Sequence, residues 1–333
     1  MLRRFLSTRW FACRVLSCIV LGLTAASVHA QTSFPAKPVR LIVTFTTGGA
    51  ADITGRILAE KLTEIWKQQV IVENRVGAGG NIGIEAVHKA PADGHTLLVI
   101  SNSHAVNVGL YDKLPYDLIA DFAPITLIAN ASLALVAHPK LPANTLPELV
   151  RLFRDNPGKY TYASCGNGTA HHLAMELFKF QTKTFVVHVP YRGCSPGTVD
   201  AVGGQVDMIL VTLGTALPHI KAGRLKAMAL TNSIRTPAAP EIQTMHEAGV
   251  PELANYEVDN WYALAAPAGT PAEVIAKIGA DSRRVLALPD VRQRMAGAGL
   301  DAVSSTPEEQ LNSLKADIAK FKRVIEFAGI KPG

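Results

Sequence analysis

The stretch Val39-Arg-Leu-Ile-Val-Thr-Phe-Thr-Thr-Gly-Gly-Ala-Ala-Asp-Ile-Thr-Gly-Arg-Ile-Leu-Ala-Glu-Lys-Leu62 constrains the fold more than any other. Val39 to Val43 is a short β-branched and apolar run, the signature of a buried strand. The chain turns through Gly48-Gly49 and enters a helix over 52–66, whose apolar positions Ile53, Ile57, Leu58, Leu62 and Ile65 make one stripe. A strand feeding a Gly-Gly turn and a helix aims free N–H groups and the positive end of the helix dipole at one point. Such a point binds anions, carboxylate as readily as phosphate.

The same order repeats. Strands are expected at Gln69–Glu73 and Thr96–Ile100, with the glycine-rich turn Gly77–Gly83 leading into a helix that ends near Lys89. Ser101–His104 and 115–124 read as loop, and Ile125–Ala137 as one apolar run. A second series follows: helix 146–156, strand 161–163, the turn Ser164–Thr169, helix 170–180, strand 185–189, helix 197–203, and strands 206–211 and 227–230. Trp261–Ala266 is an apolar run that leads back, and 271–286 and 307–328 read as amphipathic helices. This order implies an α/β fold with mainly parallel sheets, in which ligands sit at the carboxyl ends of strands. Two such units joined by two crossings are the layout of a hinged binding protein. The expected division is 31–130 plus 255–333 for the first domain and 131–254 for the second.

Residues 1–30 are expected to be a cleaved export signal. Arg3, Arg4, Arg9 and Arg14 precede an apolar run over 15–26, and Val28-His29-Ala30 supplies small residues for cleavage. The run falls short of the roughly 20 residues that span a bilayer. The whole chain carries 33 Lys and Arg against 27 Asp and Glu; without the signal's four arginines the balance is 29 against 27, or +2. The apparent basicity is therefore largely the signal, and no nucleic-acid partner is expected. Of the four cysteines, Cys165 and Cys194 remain in the exported chain. They either bridge two loops or stay as two thiols.

Several motifs are tested and set aside. No Lys-Ser/Thr follows Gly48-Gly49, so the loop is not a nucleotide-hydrolase phosphate loop. In Gly77-Ala-Gly-Gly-Asn-Ile-Gly83, Ile82 stands where the dinucleotide fingerprint needs glycine. Gly193-Cys-Ser-Pro-Gly197 matches the hydrolase nucleophile elbow, with Asp259, His219 and His246 available as partners. However, Pro190-Tyr-Arg192 separates it from its strand, and Ser195-Pro196 reads better as a helix cap with proline in the first turn, which leaves an esterase-like hydrolase using Ser195 as the less favoured alternative. His171 and His172 are adjacent and point about 100° apart on a helix, so they do not chelate one metal; His172 is the one expected to face the cleft. Asp52 either flanks the helix N-terminus or reaches a ligand, and the two roles are compatible.

In order along the chain, these segments resemble the tripartite tricarboxylate transporter receptor family, the Bug-type solute-binding proteins. They are Pro38–Val43 with Gly48-Gly49-x-x-Asp52; Val72–Arg75 with Gly77–Gly83; Ala92–Leu98; Leu114–Asp117 with Asp121-Phe122; Gly166–Thr169 with His172–Ala174; His188–Gly193; Gly203–Asp207; Ala265–Pro271; and Ala328–Lys331. The resemblance implies a two-domain periplasmic binding protein fold of type II with a hinged ligand cleft. It also implies capture of a small carboxylate: a di- or tricarboxylate, an acidic amino acid or an aromatic acid. The partners implied are the permease subunits of a tripartite tricarboxylate-type membrane transporter, or a membrane sensor. A monomer without cofactor, metal or catalysis is expected, in the periplasm.

Binding in that family rests on backbone amides and bridging waters at two loops. Carried over, the first loop supplies Phe45, Thr47, Gly48, Gly49, Ala50, Ala51 and Asp52, with Asn102 and Ser103 nearby. The second supplies Ser164, Gly166, Asn167, Gly168, Thr169 and His172, joined by Tyr191 and Asp207. The family's run around Phe45 is rich in proline; here it is Thr44-Phe45-Thr46-Thr47, which adds three hydroxyls. A ligand with extra hydrogen-bonding capacity, or a more mobile loop, is the expected consequence.

Overall fold

Strand β1 (Val39–Val43) is buried at four of its five residues and lies between two parallel neighbours, β2 (Val70–Asn74) and β3 (Thr96–Ser101). The molecule is described by a computed structural model covering residues 34–236 and 238–330, and from Lys37 onward these form one packed unit. The expected export signal and Lys331 lie outside the described residues.

Helix α1 (Ala50–Trp66) follows β1, α2 (Asn81–His88) follows β2, and α3 (Asn102–Leu110) follows β3. The chain then runs through β4 (Phe122–Ala131) and, after Ser132 alone, enters β5 (Leu133–Ala137) in the other sheet. The second series is α4 (Leu146–Asp155), β6 (Thr161–Ser164), α5 (Ala170–Thr182), β7 (Val187–Pro190), α6 (Cys194–Gly203), β8 (Met208–Thr212), α7 (Leu213–Lys221) and β9 (Lys226–Leu230). Residues 231–259 lead back to β10 (Asn260–Pro267), followed by α8 (Ala272–Leu286), α9 (Pro289–Gly297), β11 (Leu300–Ala302) and α10 (Pro307–Ala328). The strand order is β11-β4-β10-β3-β1-β2 in one sheet and β7-β6-β8-β5-β9 in the other.

Both sheets are mixed. Each has a parallel arm centred on β1 or β6, and antiparallel pairings where the crossing strands β4, β5, β9 and β10 enter. Expecting mainly parallel sheets extended the β-turn-α rhythm to these crossing strands, which run the other way. The crossings lie side by side: Thr231 N–H donates to Leu133 O (2.9 Å), Val258 N–H to Thr231 O (3.1 Å), and Leu213 N–H to Ser132 O (2.8 Å).

Each sheet buries its own apolar layer. Ile42, Leu98, Ile100 and Ala263 pack with Leu314, Phe321 and Ile325 of α10. Leu133, Leu135, Tyr162 and Leu210 pack with Phe153 and Phe178. Each such large side chain contributes about 1.5–3 kcal/mol on leaving water. Helix α10 starts where it does because Thr306 Oγ1 accepts from Glu309 N–H (3.1 Å) while Glu309 Oε2 accepts from Thr306 N–H (2.8 Å), with Pro307 beside them. Helix α3, α7 and α9 were not read from the sequence. Residues 102–107 are buried on every side, which leaves no polar face to reveal the helical period.

Candidate functional site

The carboxyl ends of β1, β3, β6 and β8 and the turn after β7 each open into a helix, and the first turns of these helices converge. Together they enclose an inner cavity of about 40 Å³. Its first wall is Phe45, Thr46, Gly49, Ala50 and Ala51 at the start of α1, Ser101 and Ser103 at the start of α3, and Tyr262 from β10. The facing wall is Cys165, Thr169 and His171 at α5, Gly193, Cys194 and Ser195 at α6, and Thr212 and Thr215 at α7. Five helix N-termini thus face one point, and among the described residues no Lys, Arg, Asp or Glu lines it. Each N-terminus carries about half a positive charge in its unpaired N–H groups, so the cavity attracts an anion without a formal cation.

The first loop is held by Asp52. Its Oδ2 accepts from Gly48 N–H (2.9 Å) and Arg56 Nε (2.9 Å), and its Oδ1 accepts from Asn74 Nδ2 (2.9 Å). Asn74 Nδ2 also donates to Phe45 O (3.0 Å). Burial works to raise the Asp52 pKa, but the bonds from Arg56, Gly48 and Asn74 outweigh it and hold the carboxyl below its usual value. Gly48 makes the turn with φ +81°, a conformation that favours glycine. Beneath the loop, Ser101 N–H donates to His104 Nδ1 (2.8 Å), which leaves the ring proton on Nε2, facing Thr44 Oγ1 at 2.8 Å. Burial pushes the His104 pKa down to about 4.

The second loop is tied covalently, with Cys165 and Cys194 joined in a disulfide. Gly193 N–H donates to Cys165 O (3.1 Å), and Thr169 caps α5 by accepting from His172 N–H (3.3 Å) while donating to Gly166 O (2.8 Å). Behind the loop, Ser164 Oγ meets His188 Nε2 at 2.7 Å, and His188 stacks on His172 with ring centres 4.0 Å apart. Burial pushes His171 and His172 down to about 4 and His188 to about 3. His171 Nε2 lies 3.8 Å from Cys194 Sγ. Cys165, His171 and Cys194 group their donor atoms within 4.8 Å, but the two sulfurs are bonded to one another.

The walls touch at several points, two of them at the cavity's edge. Ala170 N–H donates to Ser103 Oγ (3.1 Å), and Thr46 faces Gly193 so closely that a Cβ there would lie 2.7 Å from Thr46 Oγ1. Beyond this neck is an outer cavity of about 700 Å³, which shares Phe45, Thr46, Cys165, Thr169 and Gly193 with the inner one. Its remaining wall is Thr44 and Val76–Gly80 with Tyr111 on one side, and Gly166, Asn167 and Pro190–Arg192 on the other.

Of the residues expected at the site, Phe45, Gly49, Ala50, Ala51, Ser103 and Thr169 line the inner cavity, and Gly166, Asn167 and Tyr191 the outer one. The others line neither. Thr47 and Gly48 are exposed. Asp52 is turned back into its own loop, and Asn102 Nδ2 donates to Asp259 O (2.5 Å). Ser164 is consumed by Gly166 and His188; Gly168 packs against Leu110, its N–H donating to His172 Nδ1 (3.3 Å); Asp207 accepts from Thr161 N–H (2.8 Å) and Oγ1 (2.9 Å). On α5 the histidines are exchanged, with His171 on the cavity and His172 behind it. Ser195 is not the cap of α6, which begins at Cys194 with Gly193 as N-cap. Asp259 Oδ1 instead accepts from Asn232 and His246 meets Ala254 O, so neither is spent on Ser195. Of the three added threonines, Thr44 is bonded to His104 and borders only the outer cavity, Thr47 faces solvent, and Thr46 lines both cavities.

Thr212, Thr215 and Tyr262 were missed because they come from late strands and a helix with no distinctive motif. Arg192 was quoted only as part of a motif.

Comparison with known proteins identifies the family and the fold. Residues 54–330 match the model of the tripartite tricarboxylate transporter family receptor. Protein BugT of Bordetella pertussis is 33% identical over 323 residues, covering 96% of this chain and 98% of its own. A protein of R. palustris solved with adipate is 32% identical with a TM-score of 0.85, covering 90% of this chain and all of its own. MatC of Rhodopseudomonas palustris, solved with bound malate, is 29% identical with a TM-score of 0.81, covering 88% and 100%. The chain is a solute-binding receptor and belongs to the tripartite tricarboxylate transporter receptor family, whose Bug-type members it resembles throughout.

Proposed function

We propose that the protein is a periplasmic receptor that captures a small carboxylate between its two sheets and hands it to a tripartite tricarboxylate-type permease, performing no chemistry. The observation that carries this reading is the convergence of five helix N-termini on a cavity lined by no charged side chain. A carboxylate there accepts backbone and hydroxyl hydrogen bonds, while a cation meets only like-signed dipole ends. The cavity takes one ligand group, and entry requires the walls to part. We divide the chain at the two adjacent crossings, into 31–130 with 255–333 and 131–254, and place the hinge there, at Ser132 and Thr231. The disulfide suits an oxidising compartment, and a solved relative is described as a periplasmic binding protein.

The test is a thermal-shift screen of the exported chain, as purified and after refolding to strip carried ligand. Di- and tricarboxylates, acidic amino acids and aromatic acids are added over a concentration series. A receptor is stabilised by its ligand through mass action, so one acid class should raise Tm in proportion to the logarithm of its concentration. If no acid moved either sample, the reading would be wrong.

A further inference from the structure

Building on the carboxylate-receptor reading, we propose that the outer cavity is a second subsite. It takes the distal anionic end of an elongated ligand, with Arg192 as the group that selects it. The inner cavity, about 40 Å³, is much the smaller of the two and suits the ligand's first carboxylate. A longer ligand extends into the adjoining 700 Å³ cavity, which shares five wall residues with it.

The two compartments differ in charge. Among the described residues the inner wall has no formally charged side chain, and the outer wall has one, Arg192. Its guanidinium is exposed and makes no ion pair or side-chain hydrogen bond with any described residue. An arginine with all five donors free is suited to bidentate pairing with a carboxylate. Two more polar side chains of this wall, Tyr111 and Asn167, also make no side-chain hydrogen bond among the described residues, whereas Tyr191 is committed to Asp200 (2.6 Å). Tyr111 comes from the first sheet's side, and Asn167 and Arg192 from the second's, so an anion held by all three bridges the cleft. Between the subsites, Phe45 and the disulfide make the waist largely apolar, with the Thr46 hydroxyl beside them. The ligand class that fits is a dianion with carboxylates at both ends and an apolar middle, aliphatic or aromatic.

The experiment is calorimetric titration of the wild type, Arg192→Ala and Arg192→Lys with α,ω-dicarboxylates from succinate to azelate, and with the monocarboxylate of each length. The expected result is that the wild type favours a longer diacid over its monoacid. Arg192→Ala should lower that preference about tenfold, the scale of one charge-assisted pair, and Arg192→Lys should restore part of it. Diacid and monoacid losing affinity equally, or a preference indifferent to Arg192, overturns the subsite while leaving the receptor standing. Binding by none of the acids overturns the receptor reading and the subsite with it.

Discussion

The two loops that face each other across the inner cavity do the same task with different materials. Each must fix a strand-turn-helix corner so that its amides point into the cleft. The first does it with a buried carboxylate, Asp52, drawing in Gly48, Asn74 and Arg56. The second does it with a covalent bridge, Cys165 to Cys194, over a bed of stacked histidines. The difference teaches that one half of the site depends on protonation state and polar satisfaction, and the other on redox state and on histidines kept neutral.

The largest expected effect comes from the bridge. It closes a loop of sequence separation 29, so Cys165→Ser with Cys194→Ser should destabilise the protein by about 3–4 kcal/mol on loop-entropy grounds. Denaturant unfolding with and without a reducing agent measures this, and equal stability of the two forms would erase the contrast. Asp52→Ala should cost about 2 kcal/mol, because it removes one buried carboxylate that serves the partly buried Gly48 N–H and Asn74 amide at once. Arg56→Ala should cost under about 1 kcal/mol, since that side chain is half exposed and can rehydrate.

The pH response sharpens the comparison. His171, His172 and His188 in the second half and His104 in the first all sit below the ordinary 6.5, chiefly through burial. They stay neutral when folded while the unfolded chain takes up protons below pH 6.5. Their contribution is therefore complete above about pH 6.5 and is lost toward pH 4, at about 1.4 kcal/mol per pH unit for each histidine. With three of the four in the second half, amide exchange should loosen α5 and β7 before α1 as pH falls. Simultaneous loosening of both would contradict the assignment. The smallest effect is at the neck: Thr46→Val should change ligand affinity a few-fold, about 1 kcal/mol for one hydrogen bond, and Thr47→Val should leave it alone.

Much of this was legible beforehand, for physical reasons. The β1-Gly-Gly-α1 corner announces itself because strand, turn and helix each carry a local signal, and the structure puts its residues 49–51 on the cavity. What stayed hidden depends on side-chain direction. Asp52 is the same residue whether it faces a ligand or its own loop, and what turns it inward is the joint pull of Gly48, Arg56 and the distant Asn74. His171 and His172 are neighbours on one helix, and the sequence does not say which turns to the cleft. The apolar run 125–137 conceals a crossing because Ser132, one polar residue, is all that separates two strands of different sheets.

The central claim is that a cavity with no formal cation holds a carboxylate through converging helix N-termini. The most direct measurement is calorimetric titration with the best acid from the thermal-shift screen and with its primary amide, which is nearly the same shape. The account predicts that the acid binds at least a hundredfold more tightly, about 2.7 kcal/mol, the scale of several charge-assisted backbone bonds. Equal affinity for acid and amide would mean that shape, not the dipoles, selects the ligand, and would contradict it.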